Sequence, residues 1–205
     1  KLEFDLNKFD KFKDKIIYIV LDKNPESIEK IKDNDSKIEK DCKYINNSNK
    51  RERFQRDQIL NGLVNAEGDD WVIISDVDEI PNLENINFGR LKSTLVFFKQ
   101  EMMYYKFNLK YNDFTWIGSR ACKKKNLISP QWLRNIKERR YPWWRLDTYF
   151  SQLKYRNIEF VENGGWHFSY IKSAESIEKK LKSYLHHREY DLNPLGIDKI
   201  NEMIK

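Results

Sequence analysis

Asp70-Trp71-Val72-Ile73-Ile74-Ser75-Asp76-Val77-Asp78-Glu79-Ile80-Pro81 is the stretch whose reading decides the fold. Four successive apolar residues, mostly β-branched, predict a strand buried on both faces, and the run ends abruptly in three carboxylates and a proline. Upstream, residues 51–66 carry Phe54, Ile59, Leu60, Leu63 and Val64 on one stripe of an amphipathic helix, with Gly68 as its stop. A helix leading into a fully buried strand is the repeating unit of a parallel α/β sheet. The expected class is therefore α/β, with a mixed, mainly parallel central sheet.

Working outward, residues 14–21 form another apolar, β-branched run bounded by charge and predict a strand buried on both faces. The Lys-rich stretch 22–50 reads as exposed loop with a short helix at most. Residues 93–98 and 102–107 predict strands, the first rich in β-branched and aromatic residues. The region 112–149, where tryptophans mix with basic residues, reads as irregular, with a helix beginning near Asp147. A short strand is expected at 158–161, a turn and edge at 164–169, and a Lys-rich helix at 174–190.

The chain has 205 residues, which suits one domain with a real core. Its 40% hydrophobic content excludes a disordered segment. A net charge of +6 mildly favours an anionic partner such as a phosphate, a nucleotide or a membrane surface. Cys42 and Cys122 are too few for a disulfide framework or a paired zinc site, and free thiols are expected. No apolar run approaches the roughly 20 residues that span a bilayer, so no transmembrane segment is expected.

Ligands in open α/β sheets bind beyond the carboxyl ends of the strands, and Asp76, Asp78 and Glu79 occupy such a place. Three carboxylates within four residues repel one another unless cations or donors neutralise them, and hard oxygen ligands suit Mn²⁺ or Mg²⁺. The plainer alternative is a solvated acidic turn closed by Pro81. A phosphatase-type nucleophile is a third use of Asp-x-Asp, but it fits poorly because Ile80 occupies the position two beyond the second Asp and a long element precedes it.

Taken together, Arg51-Glu52-Arg53-Phe54-Gln55-Arg56, then Gly62-Leu63, then the stretch from Asp70 to Pro81 resemble glycosyltransferase family 17, which includes the bisecting N-acetylglucosaminyltransferase of glycoprotein processing. Trp116-Ile117-Gly118 and Gly164-Gly165-Trp166-His167-Phe168-Ser169-Tyr170 agree with it, and the resemblance covers roughly residues 10–190. It implies a single Rossmann-like GT-A domain, a UDP-sugar donor, a glycan or glycoprotein acceptor and inversion at the anomeric carbon. The transferred sugar would be N-acetylglucosamine. By the same resemblance Asp76 and Asp78 hold the metal against the donor diphosphate, and His167 supplies a third ligand from a C-terminal loop. The family's usual first strand and helix would lie upstream of Lys1. The resemblance leaves the compartment open: cytoplasmic for a microbial or viral enzyme, Golgi lumen for a eukaryotic one.

Further candidates each have a plainer alternative. Arg51, Gln55 and Arg56 lie near one helix face and are expected to reach the donor, or else to make surface salt bridges. Glu79 either touches ligand or caps the following backbone. Asp147 is the expected catalytic base, with an N-cap as its alternative and Glu101 and Glu162 as rivals. Trp116 and Trp143 are the expected acceptor contacts, whereas core packing is the ordinary use of tryptophan. His186 and His187 sit late on a polar helix, and only His187 is held in reserve as a ligand. The basic, aromatic run Arg139-Arg140-Tyr141-Pro142-Trp143-Trp144-Arg145 would also suit single-stranded nucleic acid. A nucleic-acid-binding module and a catalytically silent sugar- or nucleotide-binding relative are thus the alternatives to an enzyme. The carboxylates at the strand end would repel phosphates without a metal, so no nucleic-acid partner is expected.

Overall fold

The apolar run after Asp70 forms strand β1, Trp71–Ile74, in a computed structural model that describes residues 6–84, 86–183 and 194–204. Seven further strands follow: β2 (Glu79–Pro81), β3 (Leu95–Phe98), β4 (Gln100–Tyr104), β5 (Lys110–Trp116), β6 (Arg120–Lys123), β7 (Ile158–Val161) and β8 (Gly165–Ser169). They build two four-stranded sheets, ordered β1-β6-β3-β7 and β2-β8-β4-β5. The helices are α1 (Lys37–Asp57), α2 (Pro130–Asn135), α3 (Asp147–Phe150), α4 (Ala174–Ser183) and α5 (Gly196–Ile204). The class is mixed α/β, as expected, but the mainly parallel sheet does not form. Parallel pairing among the described residues is confined to β3 with β7 and β4 with β8, and the other pairings are antiparallel. The short turn joining β4 to β5 admits only an antiparallel pair, whereas the parallel partners are separated by connections long enough for a crossover.

Strand β3 is buried along its whole length, and its side chains alternate between two hydrophobic clusters. Leu95 and Phe97 pack with Val72, Ile74, Leu133 and Phe160 on one face. Val96 and Phe98 pack with Ala121 and Val161 on the other. Phe97 meets Phe160 edge to face at 5.6 Å, a preferred aromatic geometry. Both faces of this sheet are therefore covered, which is why β1 and β3 read as continuous apolar runs.

The two sheets are continuous through their parallel strands. Chain leaving β3 passes through Lys99 into β4, and chain leaving β7 passes through Gly164 into β8. At this crossing the Lys99 amide donates to Val161 O at 3.0 Å, and the Gly164 amide donates to Lys99 O at 2.7 Å. A Cβ on Gly164 would lie 2.7 Å from Lys99 N and 2.8 Å from Val161 O, so only glycine permits the approach.

Several expectations are corrected. Residues 14–21 join neither sheet: a 3-10 segment, Leu6–Lys15, precedes a run without regular secondary structure in which Ile17 and Val20 are each 61% exposed. The stretch read as loop holds most of α1, which starts at Lys37 behind a capping box in which Ser36 Oγ accepts from the Glu39 amide and the Glu39 carboxylate accepts from the Ser36 amide. This helix ends at Asp57 and continues as a 3-10 turn over Gln58–Leu63, well short of Ala66. The second strand of the 93–107 region begins at Gln100 and ends at Tyr104. The supposedly irregular 112–149 region contains most of β5, all of β6 and α2, besides the short helix at Asp147. Strand β8 lies between β2 and β4 and is no edge. Helix α4 is described to Ser183, and His186 and His187 lie outside the described residues. Both cysteines are free, Cys42 exposed and Cys122 buried. No described helix is long and apolar enough to cross a membrane.

Candidate functional site

Strand β1 delivers its carboxylates into the tight turn that leads to β2, where the Glu79 amide donates to Asp76 O at 3.0 Å. Val77 points wholly into solvent, and Asp76 and Asp78 are each 38% exposed at the side chain. Glu79 is buried, returning its Oε2 to the Asp76 amide at 3.0 Å. The backbone that Glu79 caps is the preceding Asp76 amide and not the one that follows, so it closes the turn from inside.

Burial alone would raise the Glu79 pKa, but Arg134 and Trp116 outweigh it and the carboxyl is held below its ordinary value. Arg134 NH1 lies 2.9 Å from Glu79 Oε2 and NH2 lies 2.9 Å from Oε1, a bidentate pair. Trp116 Nε1 donates to Oε1 at 2.7 Å and Ser119 Oγ donates to Oε2 at 3.3 Å. Gly118 makes room for this: a Cβ there would fall 1.9 Å from Glu79 Oε1 and 2.1 Å from Trp116 Nε1. The Trp116-Ile117-Gly118 word thus encodes a close approach to a buried carboxylate. Trp116 itself also stacks on His167, ring centroids 4.6 Å apart.

Asp76 is shared between two guanidinium groups. Arg134 NH2 donates to Oδ2 at 2.8 Å, and Arg56 NH2 donates to Oδ1 at 3.2 Å. Arg56 also pairs with Glu52 and Gln131, and the Asp76 charge beside it raises its pKa against the opposing effect of burial. Asp57 Oδ1 accepts the Gln131 amide at 2.8 Å, tying the end of α1 to the start of α2. Arg120 then fixes the other end of α2: its buried guanidinium donates to Leu133 O at 3.1 Å and Ile136 O at 2.6 Å, pairs with Glu138, and lies 4.5 Å over the Phe97 ring. Burial pulls the Arg120 pKa down to about 10. Arg134 and Arg120 were not singled out from the sequence. Neither occurs in a motif, and only folding brings Arg134 across 55 residues to Glu79.

Asp78 faces the other way. His167 Nε2 lies 3.6 Å from Asp78 Oδ2, and the imidazole beside it lowers the Asp78 pKa against partial burial. The Phe168 amide donates to Asp78 O at 2.8 Å, and Glu79 pairs with His167 across β2 and β8. His167 is buried on a strand, not carried on a loop, and its Nδ1 has no hydrogen-bond partner. Asp76, Asp78 and His167 therefore do not close into one triad. Among the described residues no group of three or more His, Cys, Asp or Glu side chains is arranged to hold a metal alone.

A cavity of about 860 Å³ opens beside Asp76, between α1, the 3-10 turn after it and the irregular run 16–25. It gathers Arg51, Gln55, Arg56 and Asp76, four of the residues expected at the donor. Lys23 adds a further cation, and Ile19, Leu21 and Phe54 give it apolar walls. Arg51 Nε is anchored on Asn24 Oδ1 at 3.0 Å.

Asp147 and Trp143 do not line this cavity. Asp147 accepts Arg145 Nε at 2.7 Å and NH2 at 2.9 Å, with Lys154 Nζ at 2.7 Å, and these cations hold its carboxyl far below the usual range. A carboxylate so acidified accepts a proton weakly. Trp143 is 78% exposed and meets Trp144 edge to face at 6.1 Å. No family model, curated protein or solved structure matches the chain.

Proposed function

We propose that the chain is a metal-dependent, GT-A-like inverting glycosyltransferase that binds a nucleoside-diphosphate sugar, a UDP-sugar by its resemblance to glycosyltransferase family 17. The observation that carries the reading is the cavity beside Asp76, because it joins three cations and an apolar wall to the carboxylate end of a buried strand. Its volume suits a small organic ligand, for which sites of about 300–1,000 Å³ are usual. Lys23, Arg51 and Arg56 would take the diphosphate, the guanidinium groups as paired donors. Ile19, Leu21 and Phe54 would exclude water from the ring of the nucleoside.

Asp78 Oδ2 and His167 Nε2, 3.6 Å apart, fit a cation that completes its shell with donor oxygens and water, since Mg²⁺ is commonly held by only one or two carboxylates plus substrate phosphates. Neither side chain lines the cavity, so such an ion, when bound, would meet the leaving diphosphate only where the donor reaches past the Asp76-Val77-Asp78 turn, and there it would neutralise the developing charge. Asp76 has a different task in this arrangement. Held by Arg56 and Arg134, it keeps the Arg56 guanidinium at the cavity wall. Glu79, buried behind the turn, holds the Asp76 amide, and the Phe168 amide, donating to Asp78 O, keeps Asp78 beside His167.

Calorimetric titration of UDP, with and without Mn²⁺, tests the proposal. Binding should require both the metal and Asp78, and Asp78→Ala should abolish the metal-dependent part. Equal binding with and without the ion would overturn the mechanism, and no binding to either would overturn the assignment.

A further inference from the structure

Beyond α2 the chain makes a long excursion and returns. Its ends are clamped where the Lys137 amide donates to Leu153 O and Trp132 Nε1 donates to Gln152 O, each at 2.8 Å. Between these clamps Trp143, Trp144, Leu146, Tyr149 and Phe150 are 62–90% exposed. Large apolar side chains gathered so densely at a loop tip mark an interaction surface. Cations surround them: residues 137–156 hold six Lys or Arg against Glu138 and Asp147. Both acids are already paired, Glu138 with Arg120 and Asp147 with Arg145 and Lys154. Arg156 lies 4.0 Å over the Tyr149 ring and donates to Trp143 O at 2.9 Å, which stiffens the tip.

We propose that this loop docks the protein on an anionic lipid bilayer, with Trp143, Trp144, Leu146 and Phe150 entering the headgroup boundary and the surrounding arginines and lysines meeting lipid phosphates. Tryptophan and tyrosine favour that boundary, where one end of the ring is apolar and the other wet. Paired Asp147 leaves no bare carboxylate to oppose insertion. Nucleic acid explains the pattern less well, because Leu146 caps a short helix that ends in the 90%-exposed Phe150 and Trp143 stands nearly perpendicular to Trp144, at 86°, so no ladder of parallel rings awaits successive bases. A second copy of the same loop would bring like charges together.

Co-sedimentation of the full chain with phosphatidylcholine vesicles, and with vesicles also containing phosphatidylserine, reads the proposal directly. Binding should need the anionic lipid, fall with added salt, and shift tryptophan emission to the blue. Trp143→Ser with Phe150→Ser should weaken it by about tenfold or more, since each buried apolar group contributes to partitioning. Arg139→Glu with Arg140→Glu should weaken it by at least about tenfold through lost attraction to the surface. Trp143, Phe150 and Arg139 lie outside the hydrophobic clusters, whereas Arg140 lies 5.3 Å over the Phe160 ring at the edge of one, so circular dichroism should match the parent in both variants and Tm should match it in the Trp143, Phe150 pair. Failure of the parent chain to bind vesicles, binding unchanged in both variants, or capture of a single-stranded oligonucleotide in place of vesicles would each overturn it.

Discussion

Strand β1 and the run at residues 16–21 are both built mainly of β-branched and aromatic residues, yet they end in opposite surroundings. Val72 and Ile74 are buried against α2 and β3, while β6 supplies the neighbouring ladder for every residue of β1. Ile17 and Val20 are mostly exposed, and their run meets the 3-10 turn near Gly62 without entering a sheet. The difference teaches that an apolar run supplies only the demand for cover; a paired neighbour decides whether it becomes a strand. It also divides the candidate site into a rigid wall, the end of β1, and a lightly held wall, the run that faces it across the cavity.

The largest effect should come from removing what fixes the rigid wall. Arg134→Leu leaves Glu79 buried beside an apolar group, and breaking such a buried pair costs about 3–5 kcal/mol, readable as a lowered denaturant midpoint. Next, Ile74→Ala in the fully packed strand should cost about 3 kcal/mol by cavity formation. Ile17→Ala, the same kind of truncation in the exposed run, should change stability by less than about 0.5 kcal/mol. Chemical denaturation of the two alanine variants therefore tests the comparison itself, and equal losses would refute it.

Acid should sharpen the same contrast. Glu79 has a depressed pKa in the folded chain, so its contribution is fully present above its ordinary value of 4.5 and is lost as pH falls through the lower folded value. Asp78 behaves likewise relative to its ordinary 3.8. Denaturant midpoints measured down through this acid range should fall in the parent chain, and the part due to Glu79 should vanish in a Glu79→Gln, Arg134→Leu pair. The smallest expected effect on stability is that of Arg51→Ala, an exposed helix residue, for which a change below about 0.5 kcal/mol is usual; UDP titration should nevertheless register its loss from the cavity wall.

Strands β1, β3 and β7 were legible because burial imposes apolar runs on them. Strand β5, Lys110–Trp116, was not: six of its seven residues are exposed, so no burial pattern marks it. The first half of α1 is polar and hid in the same way, although Ser36 and Glu39 at capping-box spacing were a readable start signal. At the site, the gathering of Arg51, Gln55 and Arg56 with Asp76 followed from helix spacing and the strand end. The separation of Asp76, held by Arg56 and Arg134, from Asp78, set beside His167, did not. It depends on Arg134 and on the buried position of His167, both set by tertiary packing of distant segments.

The Lys99 and Gly164 crossing carries one more consequence. Because the two parallel strand pairs step from one sheet to the next at a shared hydrogen-bonded joint, neither sheet can open there without disturbing the other. Their amides belong to one cooperative unit, and native-state hydrogen exchange at Lys99, Gly164 and the flanking strands should report a common opening free energy. On that outcome the acidic turn and the His167 strand, though they belong to different segments of the chain, would share a single breathing motion.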